Sequence, residues 1–323
     1  MSKQRILITG ISGFVGSHLA DYLLTKRNIE VFGVDISAAK VDNLENCFNK
    51  VKLFPCDLTD GEAVRKLFKE IKPEKVFHLA GHAFVGDSWS NPQKTFTVNV
   101  FGELNIFNAL VELKLNPRVQ IACSSEEYGL ASKNELPISE NNELRPLSPY
   151  AVSKIAQDFL GYQYYKSFGL KVVRTRAFNH IGPRQSESFV VSNFAKQIAL
   201  VEAGKQKPVI KVGNLNAVRD FTDVRDIVKA YWLCTEKCKP GEVYNLCSGK
   251  GYKIAEILQN LIGLSKVKVQ IENDSKRMRP SDVPVWIGNN KKFVKQTGWK
   301  LEYPLQITLS DTLDYWRKKL NDR

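Results

Sequence analysis

The opening of the chain limits its possible folds more than any other segment. Arg5-Ile6-Leu7-Ile8-Thr9 is a short aliphatic run that feeds directly into Gly10, and glycines recur at Gly13 and Gly16 as an amphipathic stretch begins. A strand, a turn with glycine at every third position and then a helix allow backbone to approach a ligand closely. The helix N-terminus then offers N–H groups and a positive dipole end to an anion such as a pyrophosphate. The alternative is an ordinary βα turn, but the position after a strand and before a helix favours a dinucleotide. Gly10, Gly13, Phe14, Val15 and Gly16 are candidate cofactor residues on this reading.

The alternation continues. Residues 30–34, 51–54, 75–79, 119–123 and 171–175 read as further strands, and 14–26, 61–70, 92–113 and 149–168 as helices. Strands separated by helix-length segments imply right-handed crossovers and a mostly parallel sheet that binds ligands at its carboxyl edge. The expected class is α/β, a Rossmann-type doubly wound parallel sheet with a smaller C-terminal α/β substrate-binding domain. A chain of 323 residues exceeds what one core usually supports, which argues for two parts. Residues 1–178 are expected to form the dinucleotide-binding domain. Residues 179–323, richer in Gly and Pro, are expected to bind mainly substrate, with about 214–240 returning to the first domain. Further helices are expected at 224–233, 254–262 and 304–320.

Asp35 stands 19 residues after Gly16, at the end of the second strand, where a carboxylate can accept hydrogen bonds from the adenosine ribose. It would repel a 2′-phosphate, which favours NAD(H). NADP(H) stays open because Lys40 and Arg27 can serve a phosphate. Asp57 and Leu58 follow the third strand; Asp57 either contacts adenine or caps the next helix. Leu79, Ala80 and Gly81 close the fourth strand with residues that let backbone approach the cofactor.

Tyr150 and Lys154 lie four apart in an expected helix, so they share a face about 6 Å apart. An ammonium there favours the phenolate, and a phenol with a lowered pKa can exchange a proton with a carbinol oxygen while a nicotinamide moves a hydride. Ser124, ending the fifth strand, can hold the same oxygen. Ser124, Tyr150 and Lys154 are therefore the catalytic candidates.

The bulk properties exclude several classes. A composition 43% hydrophobic and 25% charged suits a soluble globular protein. No apolar run approaches the roughly 18 residues of a membrane span, and the N-terminus enters a strand instead of a signal peptide, so a cytoplasmic location is expected. Six cysteines without CxxC spacing and four scattered histidines argue against a metal site. The net charge of +13 raises the question of nucleic acid, but the basic residues are spread along the whole chain. A basic surface that attracts a phosphorylated small molecule is the better reading.

Gly10-x-x-Gly13-x-x-Gly16, His78-Leu79-Ala80-Gly81, Ser124-Ser125-Glu126-Glu127-Tyr128-Gly129 and Tyr150-x-x-x-Lys154, in that order, resemble the extended short-chain dehydrogenase/reductases. Phe178-Asn179-His180-Ile181-Gly182-Pro183 and the run from Gly213 to Asp226 are similar to the branch of GDP-mannose 4,6-dehydratases and GDP-4-keto-6-deoxy-mannose reductases. The resemblance implies Tyr150 as acid/base at O4 of a sugar, Lys154 on Tyr150 and the nicotinamide ribose, and Ser124 on O4. It implies substrate contacts at Ser125, Asn179, Arg184, Val190, Lys211, Arg219 and Arg279, the last two as a diphosphate clamp. It also implies a homodimer or tetramer built on the helices at 92–113 and 149–168.

The reaction stays open between members of that branch. Glu126 stands where the dehydratases carry the base that removes the C5 proton, while reductases can carry the same run. Asn179 to Pro183 and Phe221 are closer to the reductases; Arg184 resembles the dehydratase arginine. The reading taken forward is reduction of GDP-4-keto-6-deoxy-D-mannose to a GDP-6-deoxyhexose of the GDP-rhamnose type. The alternatives are 4,6-dehydration of GDP-mannose or a GDP-heptose with Glu126 as base, C4 epimerisation or dehydrogenation of a nucleotide sugar, and a catalytically inactive binding protein.

Overall fold

Ile6, Leu7 and Ile8 on the first strand are all fully buried, as expected of a strand covered on both faces. The structure, a computed structural model, describes residues 3–36, 42–277 and 283–321. The first half contributes β1 (Gln4–Thr9), β2 (Ile29–Asp35), β3 (Lys52–Pro55), β4 (Lys75–His78), β5 (Arg118–Ser124) and β6 (Lys171–Ala177). Then follow β7 (Asn179–Ile181), β8 (Val209–Val212), β9 (Val218–Asp223), β10 (Val243–Leu246), β11 (Gly251–Lys253), β12 (Gln270–Asn273) and β13 (Val285–Trp286). The main sheet is parallel, in the order β10-β6-β5-β4-β1-β2-β3. Its order reverses at β1, which opens a crevice between the carboxyl ends of β1 and β4.

The helices are α1 (Phe14–Leu24), α2 (Gly61–Ile71), α3 (Val85–Ser90), α4 (Pro92–Phe96), α5 (Gly102–Glu112), α6 (Pro149–Phe168), α7 (Val190–Glu202), α8 (Val224–Lys237), α9 (Ile254–Gly263), α10 (Lys291–Thr297) and α11 (Leu305–Asn321). Leu19 and Leu23 of α1 join Ile227 and Tyr231 of α8 on one face of the sheet. Leu67 and Phe68 of α2 join Ile106 and Leu110 of α5 on the other. A separate apolar cluster forms from α7, α9 and α11 around β8, with Phe194, Ile198, Leu258 and Leu313 at its centre.

The strands expected in the first half all form, with ends shifted by one or two residues. Three helices were not anticipated, namely α3, α7 and α10, nor was the return of β10 to the main sheet. The single helix expected over 92–113 is interrupted by a wider π turn at Thr97–Phe101. The reason is local: fully buried Asn99 sits in that turn, accepts from the His82 N–H at 2.7 Å and donates to Ser153 Oγ at 2.9 Å. Such bulges re-aim a side chain that the regular ladder would point elsewhere. No helix among the described residues is long and apolar enough to cross a membrane.

Candidate active site

A cavity of about 990 Å³ opens at the carboxyl edge of the sheet and runs from the first turn of α1, past Asp35 and Asp57, to Ser124 and Tyr150. Every cofactor candidate read from the sequence lines it except Lys154, which lies behind Tyr150. Two glycines are required here. Gly10 has φ +69° and its missing Cβ would stand 2.9 Å from the Ala80 backbone; a Cβ on Gly16 would stand 2.2 Å from the Gly10 carbonyl oxygen. The close seat of α1 on the turn leaves its first N–H groups, which lack intrahelical acceptors, facing the cavity. These residues fit a dinucleotide: an anion-binding helix end and an uncluttered floor lie beside a carboxylate at the end of β2.

That carboxylate, Asp35, accepts from the Ser12 hydroxyl and from the Ile36 N–H at 2.9 Å. Ser12 was not foreseen, because nothing in its spacing marks it. Asp57 accepts from the Thr59 N–H at 2.9 Å and Thr59 Oγ1 at 2.8 Å, while Asp60 caps α2. The alternative role of Asp57 as helix cap is therefore corrected. Arg27 precedes β2 at the opposite, N-terminal edge of the sheet and does not line the cavity, which removes it as a phosphate partner there. Lys40 lies outside the described residues.

Helix α6 delivers Tyr150 and Lys154. Ser148 caps it by accepting from the Ala151 N–H at 3.1 Å, Pro149 supplies a preset first turn, and Gly169 closes it in a left-handed conformation. Lys154 Nζ donates to the Ala122 carbonyl and to Gln157 Oε1, both at 2.8 Å, and lies 5.8 Å from the centre of the Tyr150 ring. The expectation that Lys154 depresses the tyrosine needs correction for the protein alone. Burial pushes the Tyr150 phenol above its ordinary value; a hydrogen bond with Ser124 pulls the other way, and the nearby Glu126 and Glu127 push further up. Tyr150 is thus a neutral phenol at physiological pH. Burial also lowers the Lys154 ammonium, with Cys123, Glu103 and Glu127 opposing the shift.

Ser124 ends β5 and caps the short turn Ser125–Tyr128, accepting from the Glu126 N–H at 3.2 Å. Its own N–H donates to Glu127 Oε1 at 2.8 Å, so a fully buried carboxylate fixes the serine backbone. Ser125 and half-buried Glu126 line the cavity beside it. Glu127 in turn meets Arg176 at 3.0 Å, and Asp158 takes bonds from both Arg176, at 2.7 Å, and Arg174. Cys123, Glu127 and Asp158 approach within 4.8 Å of one another, but the arginines occupy the carboxylates and burial pushes the thiol well up. This cluster is an ion-pair network under the site. All six cysteines are buried free thiols.

The substrate candidates are only partly assembled. Asn179 and Val190 line the cavity with Ser125. Arg184 lines it too, but its guanidinium is held by Asp21 at 2.6 Å. Lys211 is exposed on β8 and does not reach the cavity wall. Arg219 donates to the Val218 and Val283 carbonyls at 2.9 and 2.7 Å and lies 5.9 Å from the centre of the Trp286 ring, a ring that lines the cavity. Its neighbour Asp220 accepts from Ser248, Gly249 and Gly288. Arg279 lies outside the described residues. Tyr315, Trp316 and Lys319 of α11 also line the cavity and were missed, because their spacing reads only as an amphipathic helix.

A family model described as GDP-mannose 4,6 dehydratase matches residues 7–312. The chain belongs to the GDP-mannose 4,6-dehydratase family. Within that family it is 33% identical to the GDP-6-deoxy-D-mannose reductase of Pseudomonas aeruginosa, over 99% of each protein. It is 29% identical to a GDP-mannose 4,6-dehydratase of Vibrio cholerae, covering 96% of this chain and 93% of the relative. Among solved structures, RMD from Pseudomonas aeruginosa complexed with NADPH superposes with a TM-score of 0.87 at 32% identity, over 98% of this chain and 100% of that one. The Rossmann-type parallel sheet and the short-chain dehydrogenase/reductase assignment follow for this family member.

Proposed function

We propose that this protein is a nicotinamide-dependent oxidoreductase acting at C4 of a GDP-linked sugar, and that it reduces GDP-4-keto-6-deoxy-D-mannose to a GDP-6-deoxyhexose of the GDP-rhamnose type. The observation that carries the reading is the place of Tyr150 itself: it lines the cavity beside Ser124, and its burial favours the protonated phenol. Reduction of a ketone needs a proton donor at the carbonyl oxygen, and the protonated phenol is that form. The full-length similarity to a GDP-6-deoxy-D-mannose reductase supports the same direction.

When bound, the nicotinamide supplies a hydride to C4. The chain's own residues do the rest. Ser124 orients O4 by hydrogen bonding, Tyr150 gives O4 its proton, and Lys154 stands behind the ring to stabilise the phenolate left there. The α1 N-terminus and the Gly10–Gly16 turn hold the pyrophosphate, and Asp35 holds the adenosine ribose, which favours NAD(H) over NADP(H) by charge repulsion of a 2′-phosphate. Residues 1–178 serve the cofactor. Residues 179–323 serve mainly the sugar nucleotide through Asn179, Arg184 and Val190, joined by Ser125 of the first part, with about 214–240 returning to the first domain. Phe101, Val152 and Phe159, exposed around α5 and α6, support a homodimer through those helices.

A second reading, 4,6-dehydration, is favoured by one observation: Glu126 lines the cavity next to Ser124, on the side from which a carboxylate could serve C5. Incubating the purified protein with GDP-mannose alone separates the two. The proposal expects no product; a 4-keto-6-deoxy sugar formed without added reduced nicotinamide removes it in favour of the dehydratase.

A further inference from the structure

Three cations and three anions are buried together under Tyr150: Lys154, Arg174 and Arg176 against Glu103, Glu127 and Asp158. Asp158 is bonded by both arginines and Glu127 by Arg176. Lys154 and Glu103 are the pair that remains. Glu103 on α5 has no exposed surface; its Oε2 accepts from Gln157 Nε2 at 2.8 Å, and Gln157 Oε1 accepts from Lys154 Nζ at 2.8 Å. Its other oxygen, Oε1, has no hydrogen-bond partner among the described residues. A buried carboxylate is costly unless a cation answers it, and the nearest answer is one amide away.

We propose that Glu103 is a positioning residue of the C4 reaction, the carboxylate counter-ion of Lys154, aligned with it through the Gln157 amide. The inference rests on the assignment of Tyr150 and Lys154 to that reaction. An amide bridging an ammonium and a carboxylate is polarised along its length, donating to the anion and accepting from the cation. It transmits charge and direction but carries no proton, so Glu103 acts on Lys154 and never on substrate. His78 completes the setting. His78 Nδ1 lies 2.8 Å from Thr9 Oγ1, which also accepts from the Leu79 and Ala80 N–H groups, and its Nε2 lies 3.4 Å from Gln157 Nε2 and 3.9 Å from Glu103 Oε2.

The groups that face Lys154 come from four elements: Cys123 on β5, Glu127 after it, His78 on β4, Glu103 on α5, and Tyr150 on its own helix. Lys154, Asp158, Glu127 and His78 face Glu103. The Cys123 thiol and the His78 imidazole are both held neutral by burial, and Arg176 takes up the charge of Glu127. Glu103 is then the anion whose charge Lys154 alone answers. Burial pushes the Glu103 carboxyl up and the Lys154 ammonium down, and the charge of each opposes the shift of the other.

The test is made on the cofactor-free protein, so that it does not depend on the substrate being correct. The titration midpoint of the Lys154 ammonium, read by NMR in lysine-labelled protein and assigned with Lys154→Met, is expected to fall by about one pH unit or more in Glu103→Gln. The double variant Glu103→Gln/Gln157→Glu, which moves the anion without removing it, is expected to restore it. With the reduction assay in hand, the alkaline limb of kcat should move down in E103Q and back in the double variant, while KM stays put. A midpoint unchanged in E103Q overturns the proposal. So does a protonated Glu103 carboxyl seen at neutral pH by carbon-13 NMR in the unaltered protein, a measurement that needs no variant to fold.

Discussion

Acid should unfold this protein through two buried histidines before its carboxylates alone would do so. His18, 9% exposed, bonds the Pro183 carbonyl through Nε2 at 2.9 Å, and burial with the nearby Arg184 charge lowers it to about 4. His78, 2% exposed, pairs with Thr9 Oγ1 at 2.8 Å, and burial with the Lys154 charge lowers it to about 3. Both folded values lie below the unfolded value of about 6.5, so the unfolded chain binds more protons as the pH falls. Their contribution is intact above pH ~6.5 and is lost below it, down to the folded values. At pH 4.5 the loss is about 2.5 kcal/mol for each, from 1.36 kcal/mol per pH unit, or about 5 kcal/mol together. That equals the lower end of the whole stability of a typical domain. Urea unfolding at pH 7.5 and 4.5 measures it, with His78→Gln as the control because its amide can pair with Thr9 and does not titrate. The variant should lose about 2.5 kcal/mol less than the parent between the two pH values. If it loses as much, His78 is not held neutral in the folded protein.

Gly16→Ala should weaken binding of the dinucleotide by more than tenfold in calorimetry, because its Cβ would lie 2.2 Å from the Gly10 carbonyl oxygen and neither backbone can yield without moving α1. Asp158→Asn should cost about 3–5 kcal/mol in urea unfolding, since it strips two buried arginines of a shared carboxylate. Glu126→Gln should leave reduction at C4 within about threefold, since Tyr150 and not Glu126 gives the proton; a loss of turnover there would instead give Glu126 a part in the chemistry.

Much of this architecture is legible in sequence because its signals are local. The strands of the first half are aliphatic and β-branched runs buried on both faces, and the Gly10 turn and the Pro149 helix start carry their own backbone rules. What escaped was set by distant partners. The break at Thr97–Phe101 exists because Asn99 must reach both His82 and Ser153, a demand no periodicity encodes. Val243–Leu246 is too short to announce itself and finds its place only by pairing with β6. The pKa of Tyr150 was misread for a similar reason. Spacing places Lys154 on the same face, but the burial of the phenol and the ties of the ammonium to Ala122 and Gln157 are tertiary facts. Lys211 and Arg219 show the limit of reasoning from motifs, since neither lines the cavity here.

The most direct test supplies the purified protein with GDP-4-keto-6-deoxy-D-mannose and either NADH or NADPH, and follows both the loss of reduced nicotinamide and the sugar product. The account predicts one reduced nicotinamide consumed per GDP-6-deoxyhexose formed, faster with NADH, and abolished in Tyr150→Phe. No consumption with either cofactor, or undiminished turnover in Tyr150→Phe, would contradict it.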